Sequence, residues 1–123
     1  MAFTNNNGVV QIADDVLVAI VQTATMEIDG VHSIISTLAS EIMEKLGKKT
    51  NKGINIFNNN NKLTININLS IKQNYKILEV GQNVQNKVKS AMESMTGLEI
   101  DKININVVSI EKNKNKNTEN KEN

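Results

Sequence analysis

The amino-acid sequence predicts an α+β fold: a small mixed sheet, made of a hairpin plus a crossover strand, with two or three helices packed on one face. Aliphatic residues recur at three- and four-residue steps before Gly97, which is typical of a helix. They alternate with polar residues from Leu63 to Ile71, and again from Ile103 to Val107, which is typical of strands. The chain is therefore predicted to run from a strand through a long helix into a last strand.

The long helix is expected near Lys76–Thr96. Its apolar face consists of Ile77, Val80, Val84, Val88, Ala91, Met92 and Met95. Both methionines are interpreted as core residues. Gly97 can adopt the left-handed conformation that ends a helix, and Leu98 is expected to fold back on Met92 as in a Schellman cap. The residues interpreted as structural helix-stop motifs are Gly30, Met95, Thr96, Gly97 and Leu98.

The sheet is predicted from a hairpin and one further strand. Gly53–Phe57 and Lys62–Gln73 are joined by an Asn run, and Asn tolerates the positive φ of tight turns. The last strand, near Lys102–Ile110, is expected to lie parallel to Lys62–Gln73 after a right-handed crossover. The aliphatic side chains of the central strand form the core face, at about 1.5 to 3 kcal/mol for each one fully buried. The other face is polar and is expected to stay open.

The remaining chain is interpreted from local signals. Residues 1–7 are expected to be flexible, residues 8–110 to form a single domain and residues 111–123 to form a disordered polar tail. Gly8–Ile12 is either a strand or a lead-in to a first helix, which stops at Asp29-Gly30.

Two caps are expected in this part of the chain. Asp14 or Asp15 is expected to cap the first helix. Val31–Ser33 is interpreted as a connector. Ser33 or Ser36 is then expected to cap a weaker second helix that ends at Gly47.

Composition excludes several classes of function. The chain has 123 residues, no Cys and a net charge of +1, and all 14 basic residues are Lys. Without Arg or a basic excess, the usual electrostatic signature of a nucleic-acid binder is missing. Without Cys, neither disulfides nor thiolate chemistry is expected. No apolar stretch approaches a membrane span and the first residues do not form a signal peptide, so we expect a cytoplasmic protein with no direct membrane insertion.

Candidate chemical sites are better explained as ordinary structure. His32 beside Ser33 could be imagined as a base and a nucleophile, with Asp29 as a partner, but neighbouring residues of an extended segment point apart. Acidic pairs such as Glu27 with Asp29, or Asp14 with Asp15, are more typical of helix ends than of Mg²⁺ sites.

The glycines likewise lack the pattern of a phosphate loop. Gly47 and Gly53 flank a lysine-rich connector, but the G-x-x-x-x-G-K-[ST] spacing is absent. We therefore assign no catalytic, cofactor-binding or metal-binding residue, and we expect no cofactor and no small-molecule substrate.

The open polar face of the sheet is the candidate interaction face. It displays carboxamides and one hydroxyl from Asn55, Thr64, Asn66, Asn68, Asn104 and Asn106. These groups could pair with another subunit, and solvation alone would also explain them.

Several segments fall in the order found in one known family. They are Gly8-Val9-Val10-Gln11-Ile12-Ala13-Asp14-Asp15-Val16, Glu27-Ile28-Asp29-Gly30-Val31, Lys52-Gly53-Ile54, Ile77-Leu78-Glu79-Val80 with Val84-Gln85, and Met92-Glu93-Ser94-Met95-Thr96-Gly97-Leu98 running into Ile103-Asn104-Ile105-Asn106-Val107. From Gly8 to about Ile110 the chain resembles the alkaline shock protein 23 family of Gram-positive envelope-stress proteins.

The resemblance implies a non-enzymatic cytoplasmic protein of the general or envelope stress response. It also implies self-association into a homo-oligomer that acts as a scaffold, and a separate membrane-anchored partner that holds some members at the inner membrane surface. The alternative is a small α+β module that binds RNA. That alternative is disfavoured because a sheet platform needs stacking aromatic residues, and the chain has only Phe3, Phe57 and Tyr75. A Gly-x-x-Gly clamp is also absent.

Overall fold

The computed structural model describes residues 1–36 and 53–112. The elements in chain order are β1 (Ala2–Asn5), β2 (Gly8–Gln11), α1 (Asp14–Met26), β3 (Val31–Ile34), β4 (Ile54–Asn59), β5 (Lys62–Lys72), α2 (Ile77–Thr96) and β6 (Glu99–Glu111). The mixed sheet and the two helices confirm the predicted α+β class.

Strand β5 is the centre of the main sheet. On one side it pairs antiparallel with β3 and β4, and on the other it pairs parallel with β6. The β4–β5 hairpin has two central residues, Asn60 and Asn61, with φ of 54° and 68°. Positive φ at both positions is the requirement of a type I′ turn, which Asn satisfies. The hairpin and the parallel pairing of the last strand are therefore both confirmed.

Strands β3 and β4 lie end to end along the same side of β5. Ile34 is paired with Leu69, and Ile54 is paired with Ile67. The one position between them, opposite Asn68, is shared by two residues. The N–H of Ile35 donates to the Asn68 carbonyl at 2.8 Å, and the Asn68 N–H donates to the Gly53 carbonyl at 2.9 Å. The two strands thus form one edge strand that the chain leaves after Ile35 and rejoins at Gly53.

The core lies between the helices and one face of the sheet. All five aliphatic side chains of β5 are fully buried: Leu63, Ile65, Ile67, Leu69 and Ile71. They meet the buried stripe of α2, which consists of Val80, Val84, Val88 and Met92, and the buried residues of α1, among them Leu17, Val21 and Ala24. Met95 does not belong to this core. It is 69% exposed, because the buried stripe repeats every four residues up to Met92 and Met95 lies to one side of it.

Helix α2 ends as expected at Gly97, but the cap is of a different type. Gly97 has φ of +75° and its N–H donates to the Glu93 carbonyl at 2.9 Å, which is the single-bond αL motif. The Leu98 N–H donates to the Thr96 hydroxyl oxygen at 3.0 Å instead of to a helix carbonyl. The expected Schellman cap is therefore wrong, because the Thr96 side chain satisfies the donor that such a cap would use.

Two expectations for the region before the sheet are also wrong. The N-cap of α1 is Ala13, without a side-chain cap hydrogen bond, so Asp14 and Asp15 lie inside the first turn. Their charges still favour the helix start. The expected connector Val31–Ser33 belongs to β3, because its backbone groups pair with β5, and Ser33 is therefore a strand residue and not a helix cap.

The N-terminal residues form a hairpin instead of the expected flexible segment. Strands β1 and β2 pair antiparallel, and Phe3 is 6% exposed within the core. The side-chain amides of Asn58 and Asn61 donate to the Ala2 and Thr4 carbonyls at 2.9 and 3.0 Å. The end of the β4–β5 hairpin therefore holds the outer edge of β1 in place. The body of the expected second helix, up to Gly47, and most of the expected tail lie outside the described residues.

Candidate interaction face

The six predicted polar residues lie on one face of the sheet, the face opposite the helices. We call them the carboxamide face: Asn55, Thr64, Asn66, Asn68, Asn104 and Asn106. The register places Asn55 of β4, Asn66 of β5 and Asn104 of β6 in one row across three strands. Asn68 and Asn106 form the next row. The sequence alternation therefore identified a real surface, which the strand register assembles.

The carboxamides pair across the parallel strands. The Asn104 amide donates to the Asn66 side-chain oxygen at 2.8 Å, and the Asn106 amide donates to the Asn68 side-chain oxygen at 3.2 Å. Asn66 and Asn68 are half-buried, whereas Asn55, Asn104 and Asn106 are exposed. Because each carboxamide has two N–H donors and two acceptor lone pairs, donors and acceptors remain available after this pairing.

Lys102 lies beside Thr64 on this surface, and two further charged pairs lie at its ends. Lys62 contacts Glu99 at 3.4 Å where β5 and β6 begin, and His32 contacts Glu111 at 3.7 Å where β6 ends. All six residues of the carboxamide face are uncharged. Phe57, on the same face of β4, is 55% exposed and interrupts the polar surface. Phe57 alternates with the buried Ile54 and Ile56, so the strand pattern could have placed it on this face.

The structure does not assemble the other candidate residues into a chemical site. The His32 side chain of β3 contacts Glu111 of β6, on the other side of β5. Glu27 contacts Lys87 of α2 at 3.2 Å. Within residues 1–36 and 53–112, no group of three His, Asp or Glu side chains could hold a metal ion. Gly53 lies just before β4, and its carbonyl accepts the Asn68 N–H. Gly47 and the lysines between the two glycines lie outside the described residues.

Two surface features have no counterpart in the predicted sites. An open groove of about 380 Å³ lies between the helices and is lined mainly by small and apolar residues: Ala19, Ile20, Thr23, Ala24, Glu27, Lys87, Ala91 and Met95. At the start of α2, Tyr75, Ile77 and Leu78 are 45%, 44% and 80% exposed. The periodicity of apolar residues could not reveal the groove or the exposed residues, because it does not show how the two helices are placed relative to each other.

The fold and the surface together define a class: a small α+β protein whose main sheet has one face under two helices and one open, polar face that carries the paired carboxamides. The model of the alkaline shock protein 23 family, described by a cell envelope-related function, matches residues 2–112. The chain belongs to this family.

Two relatives are bacterial proteins without an assigned function. The chain is 30% identical over 105 residues to the uncharacterized protein YqhY of Bacillus subtilis strain 168, covering 85% of this chain and 78% of that protein. It is also 30% identical over 107 residues to the uncharacterized protein Spy1614 of Streptococcus pyogenes serotype M6, covering 85% of this chain and 88% of that protein. No solved structure matches significantly. Neither of the two described helices is long and apolar enough to cross a membrane.

Proposed function

We propose that this protein is a non-enzymatic stress-response component of the cell envelope, which acts in the cytoplasm by self-association and docking. The cell envelope-related description of its family supports the general role. On this proposal, the carboxamide face is the surface of self-association, and a membrane-anchored protein is the further partner at the inner surface of the membrane.

The paired carboxamides are the observation that carries this proposal. A surface that both donates and accepts hydrogen bonds at every position is complementary to a second copy of itself. In an interface with two-fold symmetry the same patch serves both subunits, which requires this kind of self-complementarity.

Sedimentation of a charged variant tests the proposed surface. The substitutions Asn104→Lys and Asn106→Lys place two positive charges at exposed positions of the carboxamide face. In a self-associated state these charges would face their copies, so we expect the unmodified protein to sediment as an oligomer at micromolar concentration and the variant to shift toward monomer.

The matched control is Asn83→Lys with Asn86→Lys, the same charge change at exposed positions of α2. It should leave the oligomer unchanged. Equal sedimentation of the two variants would refute the role of the carboxamide face. Tight, sequence-selective binding of RNA by a monomer would instead support the alternative class, although Phe57 is the one aromatic residue on the open face of the described sheet.

A further inference from the structure

Strand β6 forms one edge of the main sheet. Among the described residues it pairs with β5 on one side and with no strand on the other. An unpaired edge exposes a row of backbone N–H and C=O groups that can pair with another chain. Proteins commonly block such an edge with charged residues, proline, bulges or a covering element. Which parts of β6 are blocked therefore decides where it can form a contact.

The parallel register shows which residues of β6 point outward. Asn68 of β5 makes both of its backbone hydrogen bonds to the edge strand formed by β3 and β4. Successive residues of a strand direct their backbone groups to opposite sides, so Ile67 and Leu69 direct theirs to β6. In a parallel ladder each such residue bonds the two neighbours of its partner, and the partner itself points away. The partners are Ile105 and Val107, whose N–H and C=O groups therefore lie on the outer side of β6.

Both ends of this outer side are shielded. Towards the start of β6, the carbonyl of Ile103 accepts the side-chain amide of Gln85 from α2 at 2.9 Å. Towards its end, the register with β5 skips Val108, which forms a bulge that bends the strand. Between the two shielded ends, Ile105 and Val107 keep outward N–H and C=O groups without a strand partner in the described sheet.

Helix α2 leaves this part of the edge open at Gly81. Gly81 lies one turn before Gln85 on the same side of the helix, and an added Cβ would lie 4.0 Å from the Ile105 side chain. Gln85 reaches the edge with its amide, whereas Gly81 has no side chain. The helix therefore covers the carbonyl of Ile103 and not that of Ile105. The edge sequence adds no block of its own, since Ile103 to Ile110 includes neither a charged residue nor a proline.

The two outward residues on either side of Asn106 match a second copy of themselves. When two β6 strands lie antiparallel about a two-fold axis at Asn106, Ile105 of each copy is opposite Val107 of the other. Each opposed pair exchanges two N–H···O=C bonds, so the two pairs use every outward group between the shielded ends. An axis moved by one residue would bring in the capped carbonyl of Ile103 or the bulge.

The side chains match in the same register. Ile105 and Val107 are half-buried on the helix side of the sheet, so their pairing buries apolar side chains against each other. Asn106 is exposed on the other face and lies opposite the same carboxamide of the copy, which both donates and accepts hydrogen bonds. A second copy of this chain is therefore the occupant that fits the edge.

We propose that β6 pairs antiparallel with β6 of a second copy about Asn106, so that two main sheets join into one continuous sheet. This inference rests on the self-association part of the proposed function. It places a contact at the edge of the sheet, in addition to the one on the carboxamide face. The two contacts point in different directions, so neither excludes the other.

Cysteine cross-linking tests the register, because the chain has no Cys of its own. In the proposed dimer Asn106 faces its own copy in a non-hydrogen-bonded pair, with about 4.5 Å between the two Cα atoms, which a disulfide can bridge. Asn106→Cys should therefore form a disulfide-linked dimer under mild oxidation at micromolar concentration.

Asn104→Cys is the matched control for this cross-link. It changes the same residue type at an exposed position of the same strand and face. In the proposed register its two copies are offset by four residues, which at about 3.3 Å per residue is roughly 13 Å, too far for a disulfide. A monomeric Asn106→Cys, or equal cross-linking of the two variants, would overturn the proposal.

A third variant separates the edge contact from the carboxamide face. Asn106 belongs to both surfaces, so the variant must lie inside the sheet. Asn66→Cys lies on the carboxamide face of β5, where edge pairing keeps its copies three strand spacings apart, roughly 14 Å. Cross-linking of Asn66→Cys without that of Asn106→Cys would mean that copies meet face to face and that the edge proposal is wrong. Cross-linking of Asn106→Cys alone would support the edge and leave the face contact without support.

Gly81→Gln is a blocking variant that should not weaken the fold, because glutamine favours a helix more than glycine does. Its amide should reach the carbonyl of Ile105 as that of Gln85 reaches Ile103. Dimerisation, measured by sedimentation, should weaken about tenfold or more, because one hydrogen bond is lost at each of two symmetric positions. Gly81→Ala is the control, since its methyl group cannot cap the carbonyl. If the two variants associate equally, Ile105 is not in the contact and the proposal is wrong.

Discussion

At the scale of single residues, the clearest signal is Gly97. Its φ of +75° lies in the left-handed region, and an added Cβ would meet no atom within 4 Å. The requirement for glycine is therefore a requirement of backbone conformation and not of space. Gly81, in the same helix, has an ordinary helical conformation, and an added Cβ would meet only Ile105 Cγ2, at 4.0 Å.

We predict opposite effects at these two glycines. Gly97→Val should lower the free energy of unfolding by about 1 to 3 kcal/mol, because a β-branched residue is strained at positive φ. Gly81→Ala should raise it by roughly 0.5 to 1 kcal/mol, because alanine loses less backbone entropy in a helix. Denaturant titration measures both. An unchanged midpoint for Gly97→Val would show that the left-handed cap contributes nothing to stability.

At the scale of elements, the unusual feature is the divided edge strand. Ile35 supplies the N–H and Gly53 the carbonyl that one residue opposite Asn68 would normally supply. A Cβ added to Gly53 would clash with the Ile35 carbonyl oxygen, which shows how closely the two chain ends meet. The chain between them therefore enters and leaves the sheet at a single register position.

We predict that residues 36–53 can be deleted without loss of the fold. Joining Ile35 directly to Ile54 keeps Ile34 opposite Leu69 and Ile54 opposite Ile67, with Ile35 making both hydrogen bonds to Asn68. Removing residues 36–53 also removes the entropy cost of closing that connection. Circular dichroism and a cooperative unfolding transition should show a folded protein.

A deletion shorter by one residue is the control. Removing residues 36–52 leaves both Ile35 and Gly53 between two fixed pairs, which requires a bulge or a register shift that turns aliphatic side chains to the wrong face. That variant should unfold at a lower denaturant concentration. If the two deletions are equally stable, β3 and β4 do not behave as one strand.

At the scale of the whole molecule, stability should come from the core between the helices and the sheet alone. The side chains of β5 and the stripe of α2 are fully or almost fully buried, and the described residues contain no cluster that could hold a metal ion. We predict that an excess of chelator leaves the thermal midpoint unchanged. A structural metal contributes directly to folding, so a lower midpoint in chelator would contradict this expectation.

Much of the fold could be predicted because its signals are local. The alternation in β5 and β6 sets which side chains face the helices, and it also identified the carboxamide face. The Asn turn and Gly97 are conformational signals within a few residues. The N-terminal hairpin was missed because Asn58 and Asn61, more than 50 residues away, hold it in place. The Schellman cap was wrong because a side-chain hydroxyl competed for the Leu98 N–H.

The sequence by itself determined the type and order of the elements from β4 to β6, though not the start of β6 at Glu99, and the polarity of each sheet face, because periodicity is a property of consecutive residues. Only the tertiary structure decided that β3 and β4 share one edge, that Asn66 and Asn104 form a hydrogen-bonded pair, and that Met95 and Leu78 are exposed while Met92 is buried. Those facts depend on where α1 ends relative to α2 and on how distant strands align. A pattern along one element cannot specify what lies beside it.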